Sequence, residues 1–180
     1  MADTIDDFMA RYQTLAVVTC EWRAYQVDDP EVMAADVFRR LRAQPAPPDL
    51  KRFYKCVDAV VDYAYRTASS RKSLTEQIFS GSLSMIKRGP VMPDQRIRSA
   101  LTGLPAREVD VLRQAIWDEL TPDEMAAVNG RDAATQQARV NAAVAHFASR
   151  LPAPESADPV AAMRAIHPGE HRRNPEPSDS

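Results

Sequence analysis

The sequence predicts an all-α protein: two small helical domains, a flexible linker between them and a disordered C-terminal tail. Three observations carry this. Apolar residues recur at three- or four-residue intervals rather than alternating. Capping residues and prolines stand where helices begin, and Asn129-Gly130 stands where one must stop. Composition shifts twice, once into a stretch rich in Ser, Gly and Pro and once into a proline-rich end. The expected boundaries are 1–72 for the first domain, 73–95 for the linker, 96–151 for the second domain and 152–180 for the tail.

Composition narrows the function classes. The chain has 180 residues, 44% of them apolar and 27% charged, with a formal net charge of −2. That supports real cores and a soluble protein. No stretch approaches the ~20 apolar residues that span a bilayer, and the N-terminus is acidic before any apolar run. A cytoplasmic protein without membrane insertion is expected. The two cysteines, Cys20 and Cys56, fall within apolar helical patterns and read as buried thiols rather than a disulfide. A free-standing DNA binder draws much of its affinity from phosphate neutralisation and usually carries a basic excess. A subunit held on DNA by a larger assembly tolerates a deficit, because tethering raises effective concentration.

The first helix is expected from residue 3 to about 26, with Ile5, Phe8, Met9, Tyr12, Leu15, Ala16 and Trp22 as its apolar stripe. Asp28-Asp29-Pro30 breaks it and opens a second helix over about Glu31–Arg42, which Pro45, Pro47 and Pro48 end. A third helix follows from Lys51 to Lys72, with Phe53, Cys56, Val57, Val60, Val61 and Ala64 inward. Tyr54, Tyr63 and Tyr65 lie beside basic residues. Aromatic rings stack on unpaired bases while cations follow the backbone, so Tyr63, Tyr65, Arg66, Arg71 and Lys72 are candidate nucleic-acid contacts. The bland alternative is half-buried rings with hydroxyls in water.

After the linker, Leu101, Leu104, Val109, Leu112 and Ile116 mark two short helices. Thr121-Pro-Asp-Glu124 then combines an N-cap, a proline at the first helical position and a capping box. Asn129-Gly130 ends that helix and Asp132 caps the next, whose Val140, Val144, Phe147 and Leu151 form the apolar stripe. Two helices about a tight Gly-containing turn are the geometry that presents a second helix to the major groove. Its opposite face carries Thr135, Arg139, Asn141 and His146. Arg139 pairs with guanine in this reading, Asn141 or Gln137 reaches adenine or phosphate, and Arg131 at the turn contacts phosphate.

These residues carry a resemblance. The run ALxxLPxRExxVL from Ala100 to Leu112, an acidic tether, LTPDEMAAVNG ending at Gly130, and ATxxxRV from Ala134 to Val140 resemble region four of the extracytoplasmic-function sigma factors of bacterial RNA polymerase. PEVMAADVFRRL in the second helix, with Asp36-Val37-Phe38, is similar to the region-two helix that docks on the polymerase clamp. The resemblance implies polymerase contacts from Glu31, Asp36, Phe38, Arg39 and Leu41, a third helix that engages the melted −10 strand, and a helix-turn-helix that reads the −35 element. Core RNA polymerase and promoter DNA are the implied partners, and an anti-sigma protein is compatible with it. The chain also departs from the family. Val32 and Ala35 stand where Asp and Gln are usual, Cys56 where a Trp is common, and Ala142 and Ala143 where Arg recurs. Those departures leave open a sigma-derived regulator that has lost full promoter recognition. A dimeric helix-turn-helix repressor, or another regulator with a LuxR-type module, shares the same local physics.

Catalysis is not expected. The three histidines, His146, His167 and His171, share no helix face, with His146 on the solvent side of its helix. No HExxH, CxxC, GxSxG or Gly-rich phosphate loop occurs. Neither a cofactor nor a metal is called for. Asp158-Pro159 starts one or two helical turns through Ile166, and the rest of the tail is too polar and proline-rich to fold.

Overall fold

A computed structural model describes residues 4–24, 27–76 and 93–167, the side chains of 69–76 and 93–94 excepted. Among the described residues the chain is all-helical: α1 (Ile5–Arg23), α2 (Pro30–Arg42), α3 (Leu50–Glu76), α4 (Pro93–Thr102), α5 (Ala106–Leu112), α6 (Pro122–Asn129), α7 (Ala133–Arg150) and α8 (Pro159–Ala165). The expected linker therefore begins and ends inside helix: α3 continues to Glu76 and α4 starts at Pro93.

The first three helices pack as one block, each against the other two. Thr4 and Asp7 close a capping box on α1, and the Asp29 side chain accepts from the backbone N–H groups of Glu31 and Val32 at the start of α2. Arg39, Arg40 and Arg42 occupy the last turn of α2, where cations favour the negative end of the helix dipole. Phe53 is the centre of this core: it is fully buried, with the Phe8 and Phe38 rings 6.2 and 6.1 Å away. The single stripe expected of α1 is only half of what is buried. Phe8, Tyr12, Leu15 and Ala16 are buried as the spacing predicts, but Val18, Thr19 and Cys20 are buried too, so the stripe widens to both sides toward the C-terminal end of the helix.

In the remaining helices, α5 runs on into a π-helical turn over Arg113–Trp117, which shifts Trp117 and Asp118 off the ordinary helical register. The corner between α6 and α7 forms as the sequence predicts. Thr121 and Glu124 make the capping box, Gly130 takes the left-handed conformation at φ +67°, and the Asp132 side chain accepts from the Thr135 N–H. Met125 of α6 and Phe147 of α7 are 1% and 0% exposed and fix the crossing of the two helices.

The C-terminal segment departs from expectation. The helical turns expected from Asp158-Pro159 form as α8, but the tail is not disordered before His167: Ala162, Met163 and Ile166 are buried against the second group of helices. The Trp117 indole N–H donates to the Met163 carbonyl at 3.0 Å, and the Trp117 and His167 rings meet edge-on at 5.2 Å. Apolar residues at i, i+1 and i+4 fall on one side of a helix and give it a face to dock with. Residues 168–180, and with them His171, lie outside the described residues.

A polar cluster joins the two groups of helices. Asp118 is fully buried. Its Oδ1 accepts from the Thr19 hydroxyl at 2.8 Å and the Trp22 indole N–H at 2.6 Å, and its Oδ2 accepts from the Tyr54 hydroxyl at 2.7 Å. Thr19 and Trp22 belong to α1 and Tyr54 to α3, so the C-terminal end of α1 and the start of α3 together receive this carboxyl. In the sequence Asp118 belongs to the acidic tether; in the fold it is 0% exposed. Burial raises its pKa, and the hydrogen bonds from Trp22, Tyr54 and Thr19 oppose that rise. The Tyr54 hydroxyl is pushed well above its ordinary value, by burial first and then by the Asp118 charge.

Candidate nucleic-acid interface

The helix-turn-helix offers one open face. On α7, Ala134, Gln137, Ala138, Asn141, Ala142 and Ala145 are exposed, and the Gln137 amide donates to the Asn141 side chain at 2.8 Å. These two amides, four residues apart, share one helix face. Arg131 at the turn is exposed as expected. Thr135 is half-buried, with its hydroxyl donated to the capping Asp132 at 2.6 Å, so it presents no free donor.

Arg139 does not stand on that face. It is half-buried, donates to the Gln136 side chain at 3.2 Å and lines a cleft that faces α1 and α3. Gln136 explains the turn inward, because its fully buried amide oxygen offers an acceptor where an apolar core residue would offer none. His146 keeps 42% of its side chain exposed, with its Nδ1 2.7 Å from a Glu108 carboxylate oxygen. Val140 and Val144 are half-buried, while Ala143 and Phe147 form the inner line of the helix. The wheel centred on Val140 and Val144 is thus rotated toward Gln136 and Ala143, which carries Arg139 into the cleft.

On α3, Tyr63 and Tyr65 are among the most exposed large side chains, at 63% and 46%. Two positions apart on a helix, they point in different directions. Tyr63 joins exposed Val32 in a groove bordered by Asp36, Arg39 and Arg40, whereas Tyr65 faces the cleft and donates to the Arg23 carbonyl at 3.0 Å. Arg66 is exposed and 4.0 Å from Asp62. The side chains of Arg71 and Lys72 lie outside the described residues.

The surface expected to meet polymerase keeps only part of its residues. Phe38 and Leu41 are 5% and 2% exposed and belong to the core, because α2 buries that side against α1 and α3. Glu31 and Arg39 remain exposed. Asp36 is held by Arg40 at 2.9 Å and by both nitrogens of an Arg39 fork. Burial raises the Asp36 pKa, but the hydrogen bonds from Arg40 and Arg39 outweigh it and the carboxyl sits below its ordinary value. The available face is therefore Val32, Tyr63 and the Asp36–Arg39 pair. The exposed Val32 stands at a helix position that sequence periodicity had passed over.

Sequence reasoning missed the cleft between the two groups of helices, about 640 Å³ in volume. Along one side of it runs a stack of aromatic rings and guanidinium groups. Arg23 lies 4.9 Å from the Trp22 ring centroid and 5.3 Å from that of Tyr54, and Arg113 lies 5.2 and 5.3 Å from Trp22 and Trp117. Each contact of this kind stabilises by about 0.5–2 kcal/mol depending on desolvation. The only sequence signal was Trp22 with Arg23 and, far along the chain, Arg113 with Trp117, and nothing in the spacing showed that they meet. No group of three or more His, Cys, Asp or Glu side chains is arranged to hold a metal among the described residues. Nor is any described helix long and apolar enough to cross a membrane. Comparison of the chain with protein-family models, curated proteins and solved structures found no match.

Proposed function

We propose that this chain is a sigma-like subunit that directs bacterial RNA polymerase to promoters, acting in the cytoplasm and making no bonds of its own. The observation that carries the proposal is the capped α6–Gly130–α7 corner, which leaves an exposed helix face bearing Gln137 and Asn141. Side-chain amides suit adenine edges in the major groove. In this reading the chain works as two helical domains, 1–72 and 96–151, on a linker over 73–95. The α2–α3 face with Val32, Tyr63 and Arg39 meets polymerase, and α7 reads upstream DNA. Tyr65 and Arg66 follow the opened strand once the cleft that Tyr65 faces has parted.

One observation favours a second reading. The exposed face of α7 is mostly alanine, and Arg139 turns away from it. A helix with so few cations supplies little phosphate affinity. That fits a sigma-derived regulator that binds polymerase without reading a full promoter.

Purified protein mixed with core RNA polymerase on a sizing column separates these readings. A stable complex that starts transcription at discrete sites supports the initiation subunit, and a complex that never initiates supports the regulator. Failure to bind polymerase, together with dimers that bind palindromic DNA unaided, would sink both in favour of an independent repressor. Within the first outcome, Asn141→Ala is expected to weaken use of one upstream base by roughly 1–3 kcal/mol. Arg139→Ala is expected to have a smaller effect on base choice, because its side chain is turned into the cleft.

A further inference from the structure

The cleft between the two groups of helices is positively charged in a chain whose net charge is negative. Four arginines line it, Arg23, Arg107, Arg113 and Arg139, against two aspartates, Asp58 and Asp110. Only Arg23 has a carboxylate partner among them, Asp58. Arg139 is bound to a neutral amide, and no ion pair to Arg107 or Arg113 occurs among the described residues. The Nε–H groups of Arg23 and Arg113 are buried without an acceptor. The two guanidiniums flank the same Trp22 ring, so two like charges are held side by side. Burial lowers the Arg113 pKa; Asp110 opposes this and the Arg23 charge adds to it. The carboxylates that face these charges are Asp58, Asp110 and the buried Asp118, three against the four arginines, so a further anion placed between the arginines is favoured.

We propose that this cleft is a binding site for a nucleoside diphosphate or a closely similar phosphorylated nucleoside. Planar guanidinium forks match phosphate oxygens two at a time, and Arg107 and Arg139 at the rim with Arg113 on the floor supply donors for two phosphates. Tyr65 supplies the base platform: its ring is 46% exposed, faces the cleft and is fixed by its hydroxyl bond to the Arg23 carbonyl. Stacking on such a ring tolerates any base. The volume suits a small molecule rather than a polymer, since pockets for such ligands span about 300–1,000 Å³. Arg23 is recessed, with 19% of its side chain exposed. The ligand touches both groups of helices, so its binding favours the arrangement in which they are packed together.

Tryptophan fluorescence tests this directly, because Trp22 lies under two of the arginines and Trp117 under one. The full-length protein is titrated with ADP, GDP and pyrophosphate, with NaCl at matched ionic strength as the control. Saturable quenching by ADP and GDP, with a raised melting temperature, is expected. Pyrophosphate is expected to bind more weakly, for want of a base. Arg107→Gln and Arg139→Gln, both near the surface and outside the Trp22 stack, are each expected to weaken binding about tenfold, the loss of one charge-assisted hydrogen bond. Tyr65→Leu is expected to bring ADP down to the affinity of pyrophosphate. The proposal is overturned if no diphosphate gives a saturable signal at millimolar concentration. It is equally overturned if NaCl reproduces the change, or if the two rim variants bind as the parent does while remaining folded by circular dichroism.

Discussion

Replacing Asp118 by alanine tests the joint between the two groups of helices most directly. The substitution removes the acceptor of three donors at 2.6–2.8 Å, two of them from residues that are themselves buried, Thr19 and Tyr54. The Thr19 hydroxyl can turn back to a carbonyl of its own helix, but the Trp22 indole and the Tyr54 hydroxyl have no such recourse. Each buried donor left unsatisfied costs about 1–3 kcal/mol, and removal of a buried carboxyl returns part of that. A net loss of about 3 kcal/mol is expected, and in a chain of this size it lowers the melting temperature by roughly 6–12 °C. Asp118→Asn keeps the oxygen that serves Thr19 and Trp22, and its amide can donate to a rotated Tyr54 hydroxyl, so it should lie within about 1 kcal/mol of the parent. Urea unfolding of the three proteins, followed by tryptophan fluorescence, gives both numbers. An alanine variant within experimental error of the parent would show that the cluster does not hold the halves together. An asparagine variant as damaged as the alanine one would show that charge, not hydrogen bonding, is what matters. The pH dependence has a definite sign. The folded pKa of Asp118 is raised above the ordinary 3.8, so its contribution to stability is full below that value and is lost as pH rises through the folded one. The parent should therefore gain on the asparagine variant as pH falls from neutral toward about 4.5. The Asp36 carboxyl, lowered in the fold, acts with the opposite sign but only below its ordinary value, and stays out of that window.

Three further outcomes are expected. Gly130→Ala should cost roughly 1–2 kcal/mol through its φ of +67° alone, since a Cβ there meets nothing within 4 Å; chemical denaturation checks it. Phe147→Ala, at a position 0% exposed between α7 and its neighbours, should cost about 3–5 kcal/mol and loosen the helix-turn-helix, which hydrogen exchange in α6 and α7 reads out. Cys20 should resist alkylation in the native protein at pH 8, because burial, with a smaller push from Asp118 against the pull of Arg23, raises its thiol to about 12, while it should label at once in urea; intact mass distinguishes the two.

Periodicity and capping by themselves determined the helices of this chain, the Asp29–Pro30 restart, and the corner from Thr121 to Asp132. Such signals are local: a cap bonds an N–H three residues away, and a stripe is read from one helix at a time. They also placed most of the core, with Phe53, Val57 and Phe147 inward as expected. They failed where burial depends on a partner from elsewhere in the chain. The added burial of Val18, Thr19 and Cys20 on α1 and the docking of α8 on Trp117 are of that kind. So is the candidate site. Phe38 and Leu41 were expected to meet a partner and instead meet α1 and α3, and Arg139 was expected on the DNA face but follows a buried Gln136 into the cleft. Nothing in the sequence sets Asp118 apart from its neighbour Glu119, and Arg23 and Arg113 lie 90 residues apart. Tertiary structure alone brought them onto one tryptophan. Side-chain burial and charge proximity are properties of packed surfaces, and no spacing within a single helix encodes which surface another helix will cover.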